Sequence, residues 1–334
     1  MAMRRCSRCI MPSTRPDIRF DVSGLCSACQ QYDRRPQIDW AARREQFLRI
    51  VAQRKTHPVF DVLVASSGGK DSHRIALTAR EWGLRPLVFT VTPDFPTALG
   101  GRNVENLKRL GFPYVEFTPD VRVRRKLNRI AFLEVGDIEW PEHAGIFSLP
   151  VRFARDMGIG VVLYGENPQE DIAGDREESV RAIRLNKAWR EEYGGLLGLR
   201  PADLIGREGI TAQDMWCYEW PEIYPIVREP HIEISHTDEP FALFLGQFTP
   251  WDGWGNAELA KAHGFETYGK PVEGNLWDCE NLDNAIVGIH YLMVWVKFGF
   301  TRAEVVASFD IRRGRKTRDE AIRLCREVDP YPDS

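Results

Sequence analysis

Residues 66–72, Ser-Ser-Gly-Gly-Lys-Asp-Ser, lie between a predicted buried strand and a predicted amphipathic helix. The run 59–65 is short, apolar and rich in β-branched residues, which is typical of a buried parallel strand. Apolar residues then recur at roughly helical spacing from Ile75 to Trp82, and Gly83 can end that helix. A glycine-rich turn from strand to helix directs free backbone N–H groups to one point, at the positive end of the helix dipole. The sequence therefore predicts a phosphate-binding loop.

The side chains of this loop suit a phosphate group and a divalent cation. Gly68 and Gly69 let the backbone approach an anion closely, and Lys70 adds a full positive charge. Asp71 can hold Mg²⁺ against phosphate oxygens, and the serines can donate hydroxyl hydrogen bonds. The Walker A pattern is absent, because no glycine stands at the required place before Gly69, and an ordinary Gly-Gly turn is the alternative. We expect Lys70 and Asp71 to be exposed loop residues whose replacement leaves the fold intact.

Strands and helical segments alternate downstream of the loop. The predicted strands cover 86–91, 114–117 and 160–164, and a helix is expected over 103–110. This alternation predicts a doubly wound parallel sheet of the α/β class with right-handed crossovers. In such sheets, ligands bind outside the carboxyl ends of the strands. We therefore expect the loops 66–72, 92–101 and 165–175 to converge on one pocket.

Two Cys-x-x-Cys pairs stand near the N-terminus, separated by sixteen residues. Cys6 and Cys9 form the first pair, and Cys26 and Cys29 form the second. This spacing is typical of a four-cysteine zinc ribbon, in which tetrahedral thiolate ligation suits Zn²⁺. Disulfides are one alternative, and four thiolates can also hold a [4Fe–4S] cluster. The residues between the pairs are too poor in apolar side chains for a core of their own, so we expect a bound metal to stabilise this module.

The composition is that of an ordinary soluble globular protein. Of 334 residues, 43% are apolar and 28% are charged, which is enough chain for two domains and a small module. No apolar run could span a membrane and no export signal is present, so we expect a cytoplasmic protein. A net charge of −3 and an isoelectric point near 6.2 argue against nucleic acid as a partner. Two basic clusters, 122–126 and 312–318, are either solvated surfaces or sites for a phosphorylated or carboxylated substrate.

Residues 67–72 resemble the PP-loop of the ATP pyrophosphatase superfamily. Its members have an adenine nucleotide alpha hydrolase-like fold, cut ATP between the α and β phosphates, and adenylate an oxygen of their substrate. The resemblance implies that Lys70 and Asp71 act in catalysis, and that Glu166 and Asn167 approach the α-phosphate. Acid–base candidates on that same later loop are Glu166, Asp171 and Asp175. The resemblance also implies that ATP, with Mg²⁺, is bound by Ser66, Ser67, Gly68, Gly69, Lys70, Asp71, Ser72, Thr90 and Gly165.

Blocks along nearly the whole chain are similar to the N-acetyl sugar amidotransferases of bacterial surface-polysaccharide and nonulosonic-acid biosynthesis. The matching blocks are Cys-x-x-Cys-Ile-Met-Pro, the second cysteine pair, the loop 67–72, Tyr-Gly-Glu-Asn at 164–167, Pro-Trp-Asp at 250–252, Lys-Phe-Gly-Phe at 297–300, and Asp-Ile-Arg-x-Gly-Arg from residue 310. One departure is Thr-Arg-Ala-Glu at 301–304, where the family has Gly-Arg-Ala-Thr. This departure bears on which sugar is used.

The family resemblance implies an ATP-dependent carbon–nitrogen ligase of lipopolysaccharide (O-antigen) biosynthesis. Such an enzyme adenylates the acetamido oxygen of an N-acetylated, nucleotide-linked sugar. Ammonia then replaces that oxygen, and the products are an acetamidino sugar, AMP and pyrophosphate. Because the amidine is a cation, we expect acidic side chains near the acceptor, for example Asp252, or Asp278 with Glu280.

The sequence predicts that the ammonia comes from another protein. No cysteine follows the initiator methionine, and Cys217, Cys279 and Cys325 lack the glycine-flanked turn of a glutaminase nucleophile. We therefore expect a separate glutaminase subunit, and the family also implies an ammonia-channel subunit.

The sequence divides into three predicted parts. Residues 1–38 form the four-cysteine zinc-binding module, 39–200 the PP-loop ATP pyrophosphatase domain, and 201–334 a mainly helical region for substrate or partner binding. Two other functions fit the same motifs. One is a PP-loop tRNA-modifying sulfurtransferase, and the other is a non-catalytic nucleotide-binding zinc module.

Overall fold

The computed structural model of the protein describes residues 3–165, 184–185, 187, 190–191, 195–221, 240–328 and 331. The strands in chain order are β1 (Val62–Ser66), β2 (Pro86–Val91), β3 (Tyr114–Phe117), β4 (Val161–Tyr164), β5 (Arg184–Leu185) and β6 (Phe241–Phe244). They form one sheet in the spatial order β3-β2-β1-β4-β6-β5. Neighbouring strands from β3 to β6 are parallel, and β5 is antiparallel to β6. The sheet therefore has five parallel strands and a short antiparallel strand beside β6.

Helices cover both faces of this sheet. In chain order they are α1 (Ser27–Arg34), α2 (Trp40–Gln53), α3 (Lys70–Glu81), α4 (Ala98–Arg109), α5 (Val121–Val135), α6 (Trp140–Met157), α7 (Gly253–Ala262), α8 (Val287–Phe298), α9 (Arg302–Arg312) and α10 (Arg318–Val328). Phe47 of α2 and Ile75 of α3 pack with Val62 on one face. Leu149 of α6 packs with Leu63 on the other face. The predicted α/β class, a parallel sheet with helices on both sides, is confirmed.

The sequence located most of the parallel strands closely. β2 and β3 have the predicted bounds, and β1 begins at Val62 instead of residue 59. β6, however, was not predicted, and it pairs with β4 from a position well beyond residue 200. The sheet therefore includes a strand from the segment that the sequence assigned to the C-terminal region, and the three-part division stays a prediction.

The start of α4 is earlier than predicted, at Ala98 instead of residue 103. Thr97 Oγ1 accepts a hydrogen bond from Gly100 N at 2.9 Å and caps the helix. A Cβ at Gly100 would lie 2.6 Å from the Cα of Asp283, so this first turn needs glycine. Glycine weakens the helical signal of the sequence, although here it allows α4 to approach Asp283 closely.

The four-cysteine module packs against the helices that follow the sheet. All four cysteines lie in one buried cluster with Trp277, Phe300 and Phe309. Ile10, which stands between the two pairs, packs against Ala303 of α9. The module is therefore part of the C-terminal helical core. None of the described helices combines the length and apolarity that crossing a bilayer requires.

Candidate active site

The predicted phosphate-binding loop connects β1 to α3 at the place where the strand order reverses. β2 and β3 lie on one side of β1, and β4 lies on the other. Loops that leave neighbouring strands in opposite directions open a crevice at the carboxyl ends, and ligands of doubly wound sheets bind in such crevices. The position of the loop in the fold thus agrees with the chemistry that its sequence predicts.

Hydrogen bonds among its own residues hold the loop in shape. Ser66 Oγ accepts a hydrogen bond from Gly68 N at 3.0 Å, and Ser72 Oγ accepts one from Ser67 N at 3.0 Å. Gly68 has a φ of 81°, and a Cβ there would lie 2.7 Å from Val104 Cγ2. Only glycine satisfies both the left-handed backbone and the close approach of α4.

The N-terminus of α3 has no side-chain cap within the described residues. Gly69 is the N-cap residue, and its carbonyl accepts from His73 N at 3.1 Å. His73 is fully buried, with Nδ1 3.0 Å from Gly69 O and Nε2 3.1 Å from Asn106 Nδ2. Burial lowers the pKa of His73, so the neutral ring with its proton on Nδ1 satisfies both contacts. His73 thereby fixes the turn while the helix N-terminus stays open to an anion.

Lys70 is buried between two carboxylates, contrary to the sequence-based expectation of an exposed loop residue. It is 7% exposed in the first turn of α3, and its Nζ lies 2.7 Å from Asp71 Oδ2 and 3.6 Å from Glu280 Oε1. Burial alone would lower the pKa of Lys70, but Asp71 and Glu280 together raise it above its ordinary value. Lys70 therefore stays charged.

Glu280 joins the loop to the C-terminal helices. Arg302 donates to both carboxylate oxygens of Glu280, at 2.9 and 2.8 Å. Asn275 Nδ2 donates to Glu280 Oε2 at 3.3 Å. Burial would raise the pKa of Glu280, but Arg302 and Lys70 lower it to about 2. The sequence thus provides a buried, ionised network that runs from Asp71 through Lys70 and Glu280 to Arg302.

Three cavities meet beside the loop. The loop cavity, about 90 Å³, is lined by Lys70, Asp71 and Cys279 among others. The strand-end cavity, about 150 Å³, is lined by Thr90, Thr92 and Val104 among others. The third, about 290 Å³, is lined by Glu142, His143 and Asn284 among others, and we call it the Glu142 cavity. Ser67 and Asp283 line all three, so the cavities adjoin one another around these two residues.

The Glu142 cavity is rich in carboxyl groups. Asn284 Nδ2 donates to Glu142 Oε2 at 3.0 Å and to Glu139 Oε1 at 3.2 Å. Burial, reinforced by the nearby Asp283, raises the pKa of Glu142 to about 8. Burial likewise raises the pKa of Asp283 to about 6. These carboxyl groups can exchange protons near neutral pH.

Two histidines flank a buried aspartate behind this cavity. Asp137 Oδ2 lies 3.5 Å from His143 Nδ1, and Asp137 Oδ1 lies 3.5 Å from His290 Nδ1. Burial opposes the charged form of His143, but Asp137 raises its pKa to about 9. Burial similarly opposes the ionised form of Asp137, but the two histidines hold its pKa below the ordinary value. The cavity therefore combines protonated and deprotonated groups, as acid–base sites do.

The structure brings the described ATP-binding candidates together. Ser66, Ser67, Gly68, Gly69, Lys70, Asp71 and Ser72 form the loop, and Thr90 lines the strand-end cavity. A Cβ at Gly165, after β4, would lie 3.7 Å from Asp71 Cβ, so the end of β4 adjoins the loop. Glu166 and Asn167, together with Asp171 and Asp175, lie outside the described residues. ATP binding by these positions stays a prediction.

Two of the three acidic residues expected near the acceptor have other roles. Asp252 pairs with Arg313 at 2.9 Å and Arg315 at 2.8 Å, and Asp278 pairs with Lys261 at 3.3 Å. Neighbouring cations neutralise both carboxylates, and neither residue lines the Glu142 cavity, so their place beside the acceptor stays a prediction. The Glu142 cavity has an acidic wall of its own, formed by Glu139, Glu142 and Asp283. A signal for this wall was present in residues 137–143, where three acids and a histidine surround a Trp-Pro pair.

Each basic cluster contributes arginines to the interior of the fold, although Arg122 and Arg125 of the first cluster are exposed. Arg124 is buried, pairs with Asp94 at 2.8 Å, and donates to the carbonyl of Thr92 at 2.9 Å. In the second cluster, Arg313 and Arg315 hold Asp252. These arginines organise the protein's own carboxylates and carbonyls.

The four cysteines form a set that can hold a metal ion. Their sulfur atoms all lie within 4.8 Å of one another, with Cys6 Sγ 3.9 Å from Cys29 Sγ and Cys9 Sγ 3.7 Å from Cys26 Sγ. A tetrahedral ion with Zn–S bonds of about 2.3 Å requires sulfur atoms about 3.8 Å apart. Cys26 N donates to Cys6 Sγ at 3.2 Å, as backbone amides do around thiolate ligands. The set fits zinc, and the donor chemistry also suits an iron–sulfur cluster.

Comparison with known proteins gives a partial match. A family described as "LPS biosynthesis protein WbpG-like, C-terminal domain" matches residues 262–334. No curated protein matches the chain. One similar solved structure is "The crystal structure of predicted subunit of tRNA methyltransferase from Methanocaldococcus jannaschii DSM", at 17% identity and a TM-score of 0.24. That similarity covers 36% of this chain and 60% of the other, so this chain spans less than two thirds of that protein. The family match includes Glu280, Asp283 and Arg302, which contribute to the site.

Proposed function

We propose that the protein is an ATP-dependent amidotransferase that converts the acetamido group of an N-acetylated sugar into an acetamidino group. The observation that carries this proposal is the shared wall between the loop and the Glu142 cavity. Ser67 and Asp283 line both, so a nucleotide on the loop and a second substrate in the cavity would be in contact. Such proximity is what transfer of an adenylyl group requires.

The loop supports the nucleotide half of this reaction. The open N-terminus of α3, the glycine backbone and Lys70 suit the phosphates that leave as pyrophosphate. Asp71 can hold the Mg²⁺ that accompanies ATP, which would neutralise phosphate oxygens. Asn256 Nδ2 donates to Asp71 Oδ1 at 2.8 Å and fixes the orientation of that carboxylate.

The Glu142 cavity supports the nitrogen half. The acetamido oxygen attacks the α-phosphorus, pyrophosphate leaves, and the resulting imidate carbon carries AMP as a leaving group. Ammonia then adds to that carbon and gives up a proton, and the C–O bond to AMP breaks. Glu142 and Asp283, whose pKa values are raised to about 8 and about 6, suit acceptance of that proton and binding of the cationic amidine.

The sugar class and the source of ammonia rest on separate observations. The similarity of residues 262–334 to an LPS biosynthesis protein supports a polysaccharide precursor as the acceptor. Burial raises the pKa of Cys217 to about 11 and of Cys279 to about 12, so neither thiol suits a glutaminase nucleophile. We therefore propose a separate glutaminase subunit, with an ammonia-channel subunit between the two proteins. The four-cysteine module would hold Zn²⁺ in a structural role.

The deciding experiment measures AMP and pyrophosphate release from ATP with N-acetylated sugars and ammonium, together with mass spectrometry of the sugar. Replacement of the amide oxygen by NH lowers the mass by about one dalton. Asp71→Asn should reduce pyrophosphate release by at least about 100-fold. Asp156→Asn, which alters an exposed ion pair with Arg155, is the matched control and should not change it.

Two outcomes would contradict the proposal. The isolated chain should use ammonium and leave glutamine untouched, so glutamine consumption would defeat the partner claim. Pyrophosphate release that depends on tRNA, with the sugar unchanged and the tRNA thiolated, would assign the protein to tRNA modification instead.

A further inference from the structure

Arg15 is a residue of the four-cysteine module that lines the Glu142 cavity. It lies between the second and third cysteines in sequence, and its side chain reaches the cavity beside Phe300 and Arg302. Its guanidinium carbon lies 5.7 Å from the centre of the Phe300 ring. The module therefore contributes a cation to a cavity whose other walls come from α6, α8 and α9.

This guanidinium has an unused hydrogen-bonding atom. Arg15 Nε is buried and has no hydrogen-bond partner within the residues that the structure describes. Burial, followed by the charge of Arg302, lowers the pKa of Arg15 to about 10, while Asp17 opposes the change. Arg15 thus remains a cation at neutral pH. A buried donor without a partner costs free energy, and a bound anion would remove that cost.

The second guanidinium of the cavity is already neutralised. Arg302 makes a bidentate pair with the carboxylate of Glu280. Arg15 makes no bidentate pair with a carboxylate of the described residues. The carboxyl groups that help to raise the pKa of Glu142 are Asp283, Asp94 and Glu139. Arg15 and this acidic wall line the same cavity.

We propose that Arg15 is a specificity-determining residue that binds an anionic group, a phosphate or a carboxylate, on the acceptor sugar. The planar guanidinium suits both groups, because each presents paired oxygens to its N–H donors. The acceptor would then lie with its anionic group at Arg15 and its acetamido group toward Ser67 and the acidic wall. This inference rests on the proposed function, and it makes the four-cysteine module a part of the acceptor site.

The position of Arg15 depends on the fold of the module. Arg15 N donates to Pro12 O, and Arg15 O accepts from Ile18 N, both at 3.3 Å, so a tight turn presents the side chain. Removal of the metal should therefore weaken acceptor binding more than nucleotide binding, because the loop that carries Lys70 is built by β1 and α3.

The test compares the binding of three probes by titration calorimetry on the metal-loaded full chain. The probes are N-acetylglucosamine, N-acetylglucosamine 1-phosphate and N-acetylmuramic acid, which are respectively neutral, phosphorylated and carboxylated. We expect the unaltered protein to bind at least one charged probe about tenfold or more tightly than the neutral one, since hydrogen bonds to charged groups are stronger than neutral ones. The two charged probes distinguish phosphate from carboxylate as the recognised group.

Variants then assign the preference to Arg15. Arg15→Gln should remove the preference for the charged probe, Arg15→Lys should restore part of it, and binding of ATP should be unchanged in both. In turnover, Arg15→Gln should raise KM for the acceptor with little change in kcat. Arg19→Gln is the matched control, because Arg19 is an exposed arginine of the same module on a separate surface groove.

Every result of these titrations either supports or contradicts the proposed role of Arg15. Equal binding of all three probes, no binding of any, or an unchanged preference in Arg15→Gln would overturn it. Unfolding midpoints and metal content would reveal a variant that fails to fold. In that case the comparison of the three probes on the unaltered protein still decides the inference. Failure of the proposed function is distinguishable, because it would appear as absent pyrophosphate release while the binding preference persists.

Discussion

Replacement of Lys70 should destabilise the protein as well as abolish the proposed turnover of ATP. In Lys70→Met the side-chain length is retained but the charge is lost. Glu280 and Asp71 then lose a cation at 3.6 and 2.7 Å, respectively. Breaking a buried ion pair by removing one partner costs about 3–5 kcal/mol.

The expected magnitude is smaller than that range because both carboxylates keep other partners. Glu280 retains the two hydrogen bonds of Arg302, and Asp71 retains Asn256 and is 31% exposed at its side chain. We therefore expect Lys70→Met to lower the free energy of unfolding by about 2–3 kcal/mol. The double variant Lys70→Met/Glu280→Gln should lose less unfolding free energy than the two single variants lose in sum. The difference should be about 1 kcal/mol or more, because the two residues are in contact.

Urea unfolding followed by tryptophan fluorescence, with no ATP present, measures this loss. Lys261→Met is the matched control. Its pair with Asp278 is 3.3 Å long but partly exposed, so we expect a loss of about 0–1 kcal/mol. A Lys70→Met protein whose unfolding free energy lies within about 0.5 kcal/mol of the unaltered protein would refute the argument that Lys70 is held in a buried charge network.

Two further predictions concern Glu142 and the metal. Burial and the nearby Asp283 raise the pKa of Glu142 to about 8. Between about pH 5 and pH 8, Glu142 therefore holds a proton in the folded protein that it has released in the unfolded chain. The free energy of unfolding should therefore fall as pH rises through this range, and Glu142→Gln should flatten that fall in urea unfolding curves measured at several pH values. Purified protein should contain about one zinc ion per chain, and Cys26→Ser should lose it and unfold at lower urea concentration. Elemental analysis that finds iron, or a visible iron–sulfur absorption band, would contradict the zinc assignment.

The sheet could be predicted from the sequence because buried parallel strands leave local signals. Runs such as 86–91 and 161–164 are short, apolar and bounded by turn residues, so the pattern identifies them without any knowledge of their partners. β6 was missed because Phe-Ala-Leu-Phe at 241–244 contains no β-branched residue, so its composition does not distinguish a strand from a short helical segment. Its place beside β4 is set by long-range pairing, which the local sequence does not encode.

The Glu142 cavity could not be predicted because its walls come from separate segments. Arg15, Glu142, Asp283 and Arg302 are far apart in sequence, and only the packing of α6, α8 and α9 around the loop brings them together. Burial changed the prediction at Lys70 for the same reason. The loop pattern predicts that this residue binds phosphate, but only the fold shows that Glu280 approaches it from the C-terminal region.

The charge network implies that the loop would need more than Lys70 to bind the proposed nucleotide. Asp71 and Glu280 carry two negative charges, and Lys70 and Arg302 carry two positive charges, so the four groups sum to zero. A balanced network can be buried before any ligand arrives, and each charge is already oriented by a partner. The attraction for the proposed triphosphate would then come mainly from the open N-terminus of α3 and from the divalent cation that would accompany it. Arg15 has no carboxylate that accepts two hydrogen bonds from its guanidinium among the described residues. It is therefore the cation in this site best able to bind the anionic group of a second substrate.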